Sequence, residues 1–317
     1  MRVIVLGGTW FVGRAIVEAL VAAGHTPLVV HRGAQEPVGL PEVEHLHADR
    51  DAWPSLRATF AAFGADAAID VSANNAAGAR AALTALPSNL RLVALSSGDV
   101  YRAYEGAVHG RATDAVPLTE TSPLRAERHL DGPHWENLEI EEAYQPAGAT
   151  ILRLGAVYGP YDYQHRFEPV LRRIRAGRTV LPVGSGAFLF SRAYVHDVGP
   201  AALAALANDH GGCFNIVESQ TAPMRLFYRQ IAEAAGVELD QVRVEDRALP
   251  ADLGSVGATG QHMLMSAQKA RDVLGWRESD PDAALRRSVQ WHLAHPPDDW
   301  NCDFSADDAA LHTAQDE

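Results

Sequence analysis

Met1-Arg2-Val3-Ile4-Val5-Leu6-Gly7-Gly8-Thr9-Trp10-Phe11-Val12-Gly13 is the stretch from which the rest of the chain can be read. The four apolar residues Val3 to Leu6 read as a buried parallel strand; Gly7 and Gly8 interrupt it, and Gly13 stands where a helix begins. That helix, Arg14 to Ala23 before Gly24, carries Ile16, Val17, Leu20 and Val21 as the stripe of a helix lying on a sheet. Strand, glycine turn and helix N-terminus together make an anion trap, because unpaired backbone N–H groups and the positive helix end converge there. A dinucleotide pyrophosphate requires that geometry. One residue departs from it: both common glycine spacings put the middle glycine where Trp10 stands.

Outward from the turn, strands and helices alternate. Thr26–His31, residues 43–49, Ala67–Val71, Leu90–Leu95 and Thr150–Leu154 read as strands, with helices over 53–63, 76–85 and 135–144 between them. This pattern predicts an α/β fold, a doubly wound parallel Rossmann-type sheet with a smaller C-terminal substrate-binding lobe. Residues 1–165 form the dinucleotide-binding domain, rejoined by about 192–218 through a helix at 197–207 and the strand Cys213–Val217. Residues 166–299 are mainly the substrate-binding lobe. The polar, Pro- and Gly-rich stretch 104–133 reads as a long, partly mobile loop near the site, and 300–317 as a frayed acidic tail.

Bulk properties narrow the function classes. With 317 residues, 47% hydrophobic and 21% charged, the chain has ample core. No apolar run of about 18 residues exists, so no membrane span is expected. The strand starting at Val3 leaves no room for a signal peptide, and two cysteines, Cys213 and Cys302, make neither a disulfide framework nor a metal site, so a cytoplasmic location follows and no metal is expected. A net charge of −13 argues against a nucleic-acid partner and for a small-molecule substrate. Lys269 is the only lysine, which excludes Schiff-base chemistry elsewhere and any catalytic Tyr–Lys pair.

Five motifs in order then resemble the extended short-chain dehydrogenase/reductases, the NAD-dependent epimerase/dehydratase family, over nearly the whole length. They are residues 7–13, Asp49-Arg50, Ser96-Ser97-Gly98-Asp99-Val100-Tyr101, residues 152–160 and residues 192–198. The branch with Gly-Gly-Thr-x-Phe-x-Gly, which includes plant stem-loop-binding relatives, is the most similar. The resemblance implies that Gly7, Thr9, Trp10 (by its backbone), Phe11, Val12 and Gly13 surround the pyrophosphate. It places His31 and Arg32 at the adenosine ribose, Asp49 at the adenine, and Arg50, Ser72, Ala73, Leu154, Gly155 and Val157 along the cofactor. NAD-preferring relatives carry an acid at the end of the second strand. Arg32 suits a 2′-phosphate instead, so NADP is favoured over NAD. The alternatives are a surface Arg32 and an Asp49 that only caps the next helix. Homodimerisation through paired helices, common in the resembled family, is an open expectation.

The catalytic half of the pattern fails. The family uses a serine or threonine, a tyrosine, and a lysine four residues later. Ser97 fits the first role, but one register puts Pro133 and Asn137 at the other two positions, and a shifted register puts Asp131 and Trp135 there. His134 and Glu136 lie beside the lost tyrosine position, and Tyr101, Tyr104 and Tyr158 are further candidates for the pocket. Ser97, His134 and Tyr101 are taken as the catalytic set, and Tyr158, His165 and Arg192 as substrate-binding, with Arg192 facing a substrate anion. The sequence thus predicts an NADP-binding enzyme acting on a sugar nucleotide or specialised metabolite, with unusual acid–base residues or redox-neutral chemistry. The competing reading is an NADP-binding sensor or partner protein without turnover.

Overall fold

A computed structural model describes residues 1–34, 38–132, 134–208, 211–254 and 260–314. The strands are β1 (Arg2–Leu6), β2 (Thr26–His31), β3 (Glu44–His47), β4 (Ala67–Asp70), β5 (Arg91–Ser97), β6 (Thr150–Leu154), β7 (Ala156–Tyr158), β8 (Val180–Val183), β9 (Arg192–Tyr194), β10 (Gly212–Ile216) and β11 (Asp240–Arg243). The helices are α1 (Phe11–Ala22), α2 (Arg57–Phe63), α3 (Ala76–Ala85), α4 (Arg102–Val108), α5 (Asn137–Tyr144), α6 (Glu168–Arg175), α7 (Val195–Ala207), α8 (Met224–Ala234), α9 (Ala251–Gly254), α10 (Gln268–Val273), α11 (Pro281–Ala294) and α12 (Ser305–Thr313).

Seven strands form one parallel sheet in the order β10-β6-β5-β4-β1-β2-β3. The period-2 alternation of side chains sorts its central strands onto two faces. Val3, Val5, Val29, Ile69, Val93 and Leu152 join α1 and α7 in one core, while Ile4, Leu6, Leu28, Val30, Ala68 and Ile151 meet Phe60, Ala79 and Tyr144 in the other. Fully apolar strands such as Val3–Leu6 are therefore the mark of a sheet covered on both sides. On the first face the helices α1 and α7 approach closely: a Cβ on Gly199 would stand 2.6 Å from Ala19 Cβ and 2.7 Å from the Ala15 carbonyl oxygen. The first core continues without a break into Leu181, Phe188, Phe227 and Met263, so the smaller β8–β11 pair and its helices share packing with the large sheet.

The strand order turns round at β1, with β2 and β3 running one way from it and β4, β5 and β6 the other. Carboxyl ends of parallel strands at such a switch point form a crevice that no crossover covers. Among the described residues no helix is long and apolar enough to cross a membrane.

Two expectations need correcting. The stretch 104–133 is not a free loop: it starts within α4, and the buried Arg125 ties it down with a hydrogen bond to the Asp99 carbonyl (2.8 Å) and a bidentate pair to Glu136 (2.6 and 3.0 Å). The acidic tail is not frayed over 305–313 either. It forms α12, whose Asp307 is fully buried and paired with Arg173 at 2.6 and 2.9 Å. Composition alone missed both because each depends on an ion pair with a residue outside the stretch, Glu136 for the first and Arg173 for the second.

Candidate active site

The turn after β1 is shaped by steric exclusion. Gly7 has φ +94°, a left-handed conformation that a side chain resists, and a Cβ there would lie 2.5 Å from Ser72 Cβ. A Cβ on Gly13 would stand 2.1 Å from the Gly7 carbonyl oxygen, so only glycine lets α1 come this close to the turn. Helix α1 opens at Phe11 with no side-chain cap and no acidic residue in its first turn. Its first N–H groups are thus left for an anionic ligand, and the residues present fit a dinucleotide pyrophosphate.

Trp10 projects outward, 45% exposed, and meets Tyr161 edge-on at 5.7 Å. The Arg14 guanidinium lies 4.3 Å over that Tyr161 ring, and Phe11 meets Tyr163 edge-on at 5.8 Å. The loop after β7 therefore covers the glycine turn through aromatic contacts, and the residue that replaced a glycine supplies one of them.

The floor of the crevice rests on Asp70, a residue the sequence did not single out. At the end of β4 and 2% exposed, it accepts hydrogen bonds from both terminal nitrogens of Arg50 (3.0 and 3.1 Å), from the Tyr144 hydroxyl (2.6 Å) and from the backbone of Ser72 and Ala73. Arg50 also donates to Ser72 Oγ (2.5 Å) and the Gly78 carbonyl (2.9 Å). Its guanidinium is thus engaged within the protein, where Arg50, expected among the cofactor ligands, is a strut holding Ser72 beside Gly7. Asp49 keeps an exposed carboxylate that makes no capping hydrogen bond. Arg32 is exposed, whereas the His31 ring is buried and hydrogen-bonded to His45 (2.9 Å). Leu154 and Val157 are buried, and a Cβ on Gly155 would lie 2.6 Å from the Ser191 carbonyl oxygen.

At the end of β5, Ser97 stands three residues beyond Ala94, which pairs with Asp70, so roughly 10 Å further along the strand direction. Its Oγ accepts the Asp99 backbone N–H (3.3 Å) and caps the short turn Gly98–Val100, leaving the hydroxyl proton for another acceptor. Asp99 itself is the unusual group. Asn137 Nδ2 donates to its Oδ2 (2.8 Å), but its Oδ1 is enclosed without any hydrogen-bond partner. Burial, chiefly, pushes its carboxyl up to about 7; Asn137 and the Arg125 charge oppose this, while Asp131 and Glu136 add to it.

Asn137, the first residue of α5, stands at the lysine position in one of the two registers, with Trp135 there in the other, and it offers a neutral amide where an ammonium would stand. Pro133, at the matching tyrosine position, lies outside the described residues. Glu136 is fully buried. Burial alone would raise its carboxyl, but the Arg125 guanidinium and the N–H groups of His129 and Leu138 outweigh burial and hold it below the usual range.

The catalytic role expected of Tyr101 does not survive. Its side chain is fully buried, its hydroxyl donates to Asn215 Oδ1 (2.6 Å) and accepts from Arg153 (3.1 Å), and burial pushes it up to about 12. Arg153 is in turn locked to Glu141 (2.7 and 2.9 Å), so this is an internal network. Tyr158 is likewise internal: 2% exposed among Phe167 and Tyr194, it donates to Glu218 Oε1 (2.5 Å), so its hydroxyl proton is engaged within the protein. His134 and His165 are both exposed, His165 in the loop over the glycine turn with φ +51°. Tyr104 donates to Asp131 (2.8 Å), and burial followed by that carboxylate raises its hydroxyl.

Arg192 is 6% exposed, its guanidinium 3.5 Å over Phe227, with donors to the Ala222 carbonyl (3.2 Å) and Met224 sulfur (3.3 Å). Among the described residues no carboxylate forms an ion pair with it, and burial pulls it down to about 10. Lys269 is exposed on α10 and donates to the Cys213 carbonyl (2.8 Å), near the amino end of β10 and so away from the carboxyl-end crevice.

Comparison with known proteins agrees with this architecture. A reductase of Streptomyces kanamyceticus, 2′-dehydrokanamycin reductase, is 31% identical over 77% of this chain and 69% of its own length. A 3-diazoavenalumate denitrifying reductase of a Streptomyces species is 28% identical over 89% of this chain and 97% of its own length. The chloroplast stem-loop binding protein of 41 kDa b of Arabidopsis thaliana is 26% identical over 98% of this chain and 84% of its own length. Among solved structures, dTDP-glucose 4,6-dehydratase of Bacillus anthracis in complex with NAD superposes with a TM-score of 0.72 at 17% identity, covering 93% of this chain and 97% of that one. The defining pattern of one family matches residues 3–217, and the chain belongs to that family, the NAD dependent epimerase/dehydratase family.

Proposed function

We propose that this protein is an NADP-dependent enzyme that oxidises, reduces or eliminates at an oxygen-bearing carbon of a sugar nucleotide or a specialised metabolite, with Ser97 in the family's serine role and Asp99 exchanging the proton in place of the tyrosine and lysine. The observation that carries the reading is the unpartnered Oδ1 of Asp99, on the turn that follows Ser97. A bound nicotinamide would supply or accept the hydride. Ser97 donates a hydrogen bond to the substrate oxygen and fixes it. Asp99, titrating near 7, is half-ionised at neutral pH and exchanges the proton, which is the condition under which a general acid or base works best. Asn137 holds the carboxyl in place through Oδ2 and leaves Oδ1 as the exchanging atom. Arg192, a buried cation whose hydrogen-bond partners among the described residues are a carbonyl and a thioether, with the Glu218 charge nearby, attracts an anionic part of the substrate. The reductase activities named for two bacterial relatives support a specialised metabolite as substrate. NADP is preferred because Arg32, not an acid, follows β2.

The test is a panel of sugar nucleotides and glycosylated or aromatic metabolites, assayed with NADPH and NADP for cofactor turnover and by mass spectrometry for redox-neutral products. Turnover that falls sharply in both Ser97→Ala and Asp99→Asn, while His134→Ala changes it less, is the expected result. Tight cofactor binding without any conversion across the panel would favour a binding protein, and turnover indifferent to Asp99→Asn would remove Asp99 from the mechanism.

A further inference from the structure

Strands β2 and β3 pair in parallel at the sheet edge with His31 directly opposite His47 and Val29 opposite His45. His45 and His47, two residues apart, project on the same face of β3, and His31 joins them from β2. The result is three imidazoles with one ring nitrogen each, all within 4.8 Å of one another. His31 Nε2 and His45 Nδ1 are 2.9 Å apart and share one proton, and the His31 and His47 rings meet edge-on with centroids 4.5 Å apart.

We infer that His31, His45 and His47 form a binding site for one divalent transition-metal ion of the zinc class. Neutral imidazole is a preferred ligand of Zn²⁺, Co²⁺ and Ni²⁺, and three histidines with an open fourth position are an established coordination set. Ligand nitrogens about 2.0–2.1 Å from a tetrahedral ion lie about 3.3–3.4 Å apart. The cluster therefore needs only side-chain rotations to reach that spacing, because two nitrogens are already closer than this and the third is within 4.8 Å. The ion takes the place of the shared proton. The long contact from the Gly33 N–H to His31 Nδ1 (3.3 Å) is given up as that nitrogen becomes the protonated one. Such an ion clips the short edge strand β3 to β2. The site is separate from Ser97 and Asp99, and it does not depend on the proposed reaction.

The test uses the whole protein after chelator treatment, at neutral pH and without substrate. Equilibrium dialysis against Zn²⁺ should give one bound ion per chain, and Co²⁺ should develop the intense visible bands of a four-coordinate site. His47→Gln, at an exposed position, and His45→Gln should each weaken binding at least about 100-fold, since even outer-shell changes cost 10–100-fold. His295→Gln, on the exposed end of α11, serves as control and should leave binding unchanged. Thermal melts of the metal-free variants establish that they fold. Absence of stoichiometric binding at micromolar metal overturns the inference, and so does binding that both variants retain in full.

Discussion

The two ends of the crevice have kept different things. At β1, β2 and β4 the requirements are steric: Gly7 must have positive φ, Gly13 must lack a Cβ, and Asp70 must hold Arg50 and Ser72 in place. At β5 and α5 the proposed requirement is a proton-exchanging group, and there the side chains form a hydrogen-bonded set of Asp99, Asn137 and the Arg125–Glu136 pair. A backbone cradle offers few alternatives, because any side chain collides with it. A proton can be exchanged by any group whose pKa lies near the working pH and whose atom faces the substrate. Binding hardware is thus the conservative half of such a fold, and acid–base hardware the replaceable half.

The sharpest way to break that contrast is Asp99→Asn. It should lower kcat on an identified substrate roughly 10²–10⁴-fold, the usual contribution of acid–base catalysis, while the Kd for the dinucleotide stays put. The same substitution has a stability signature that needs no substrate. The folded carboxyl, at about 7, is raised above its unfolded value, so the folded state binds the extra proton. That contribution is complete below about 3.9, the ordinary aspartate value, and is lost as pH rises through about 7. Melting temperatures of wild type should therefore fall relative to Asp99→Asn between pH 4 and 8. Parallel curves would show that Asp99 titrates like an exposed carboxylate.

Next in size is the frame behind the site. Arg125→Met leaves Glu136 as a fully buried carboxylate without its cation, which should cost about 3–5 kcal/mol in chemical denaturation. Replacing both partners, Arg125→Met with Glu136→Leu, should recover much of that loss. Because the Glu136 carboxyl is held low, its contribution is present above its ordinary pKa of about 4.3 and disappears as pH falls through its folded value. The wild-type and double-variant stabilities should therefore converge in acid. A smaller change probes one of the two candidate lysine positions. Asn137→Lys sets an ammonium beside Asp99 and should lower its pKa by about 1–3 units, moving the acidic limb of the rate profile down by the same amount. An unmoved limb would falsify the pairing of these two residues.

How far the sequence could be read follows the same division. The run Val3–Gly13 and the apolar strands were legible because burial on both faces and close backbone approach leave direct marks in composition. Ser97 was read through the family resemblance rather than from the strand, which the structure carries two residues further, to Ser97 itself. Tyr101 and Tyr158 misled, because a hydroxyl reads the same whether it faces a cleft or an Asn215 or Glu218 brought in from more than 50 residues away. Arg50 misled for a related reason, its partner Asp70 being 20 residues distant. Asp99 left a usable signal, a carboxylate two residues past Ser97 on the same turn, but its value depends on burial and on Asn137, which only the fold reveals.

The smallest expected effect lies at the adenosine end, where Arg32 and Asp49 flank the ends of β2 and β3. Arg32 is exposed, so its attraction for a 2′-phosphate is screened by water and salt and is worth about 1 kcal/mol or less. Arg32→Ala should accordingly raise the Kd for NADP by a factor of about five and leave that for NAD nearly unchanged. Because the contact is electrostatic and outside the core, raising ionic strength from about 0.01 to 0.15 M shortens the Debye length from about 30 to 8 Å and should erode the wild-type preference toward that of the variant. Titrations of both dinucleotides at the two salt concentrations separate this from a steric preference, which salt would not touch. A preference for NADP that survives both salt and Arg32→Ala would mean that the discrimination comes from another group. The histidines of β2 and β3, with or without a metal ion, would be the next residues to test.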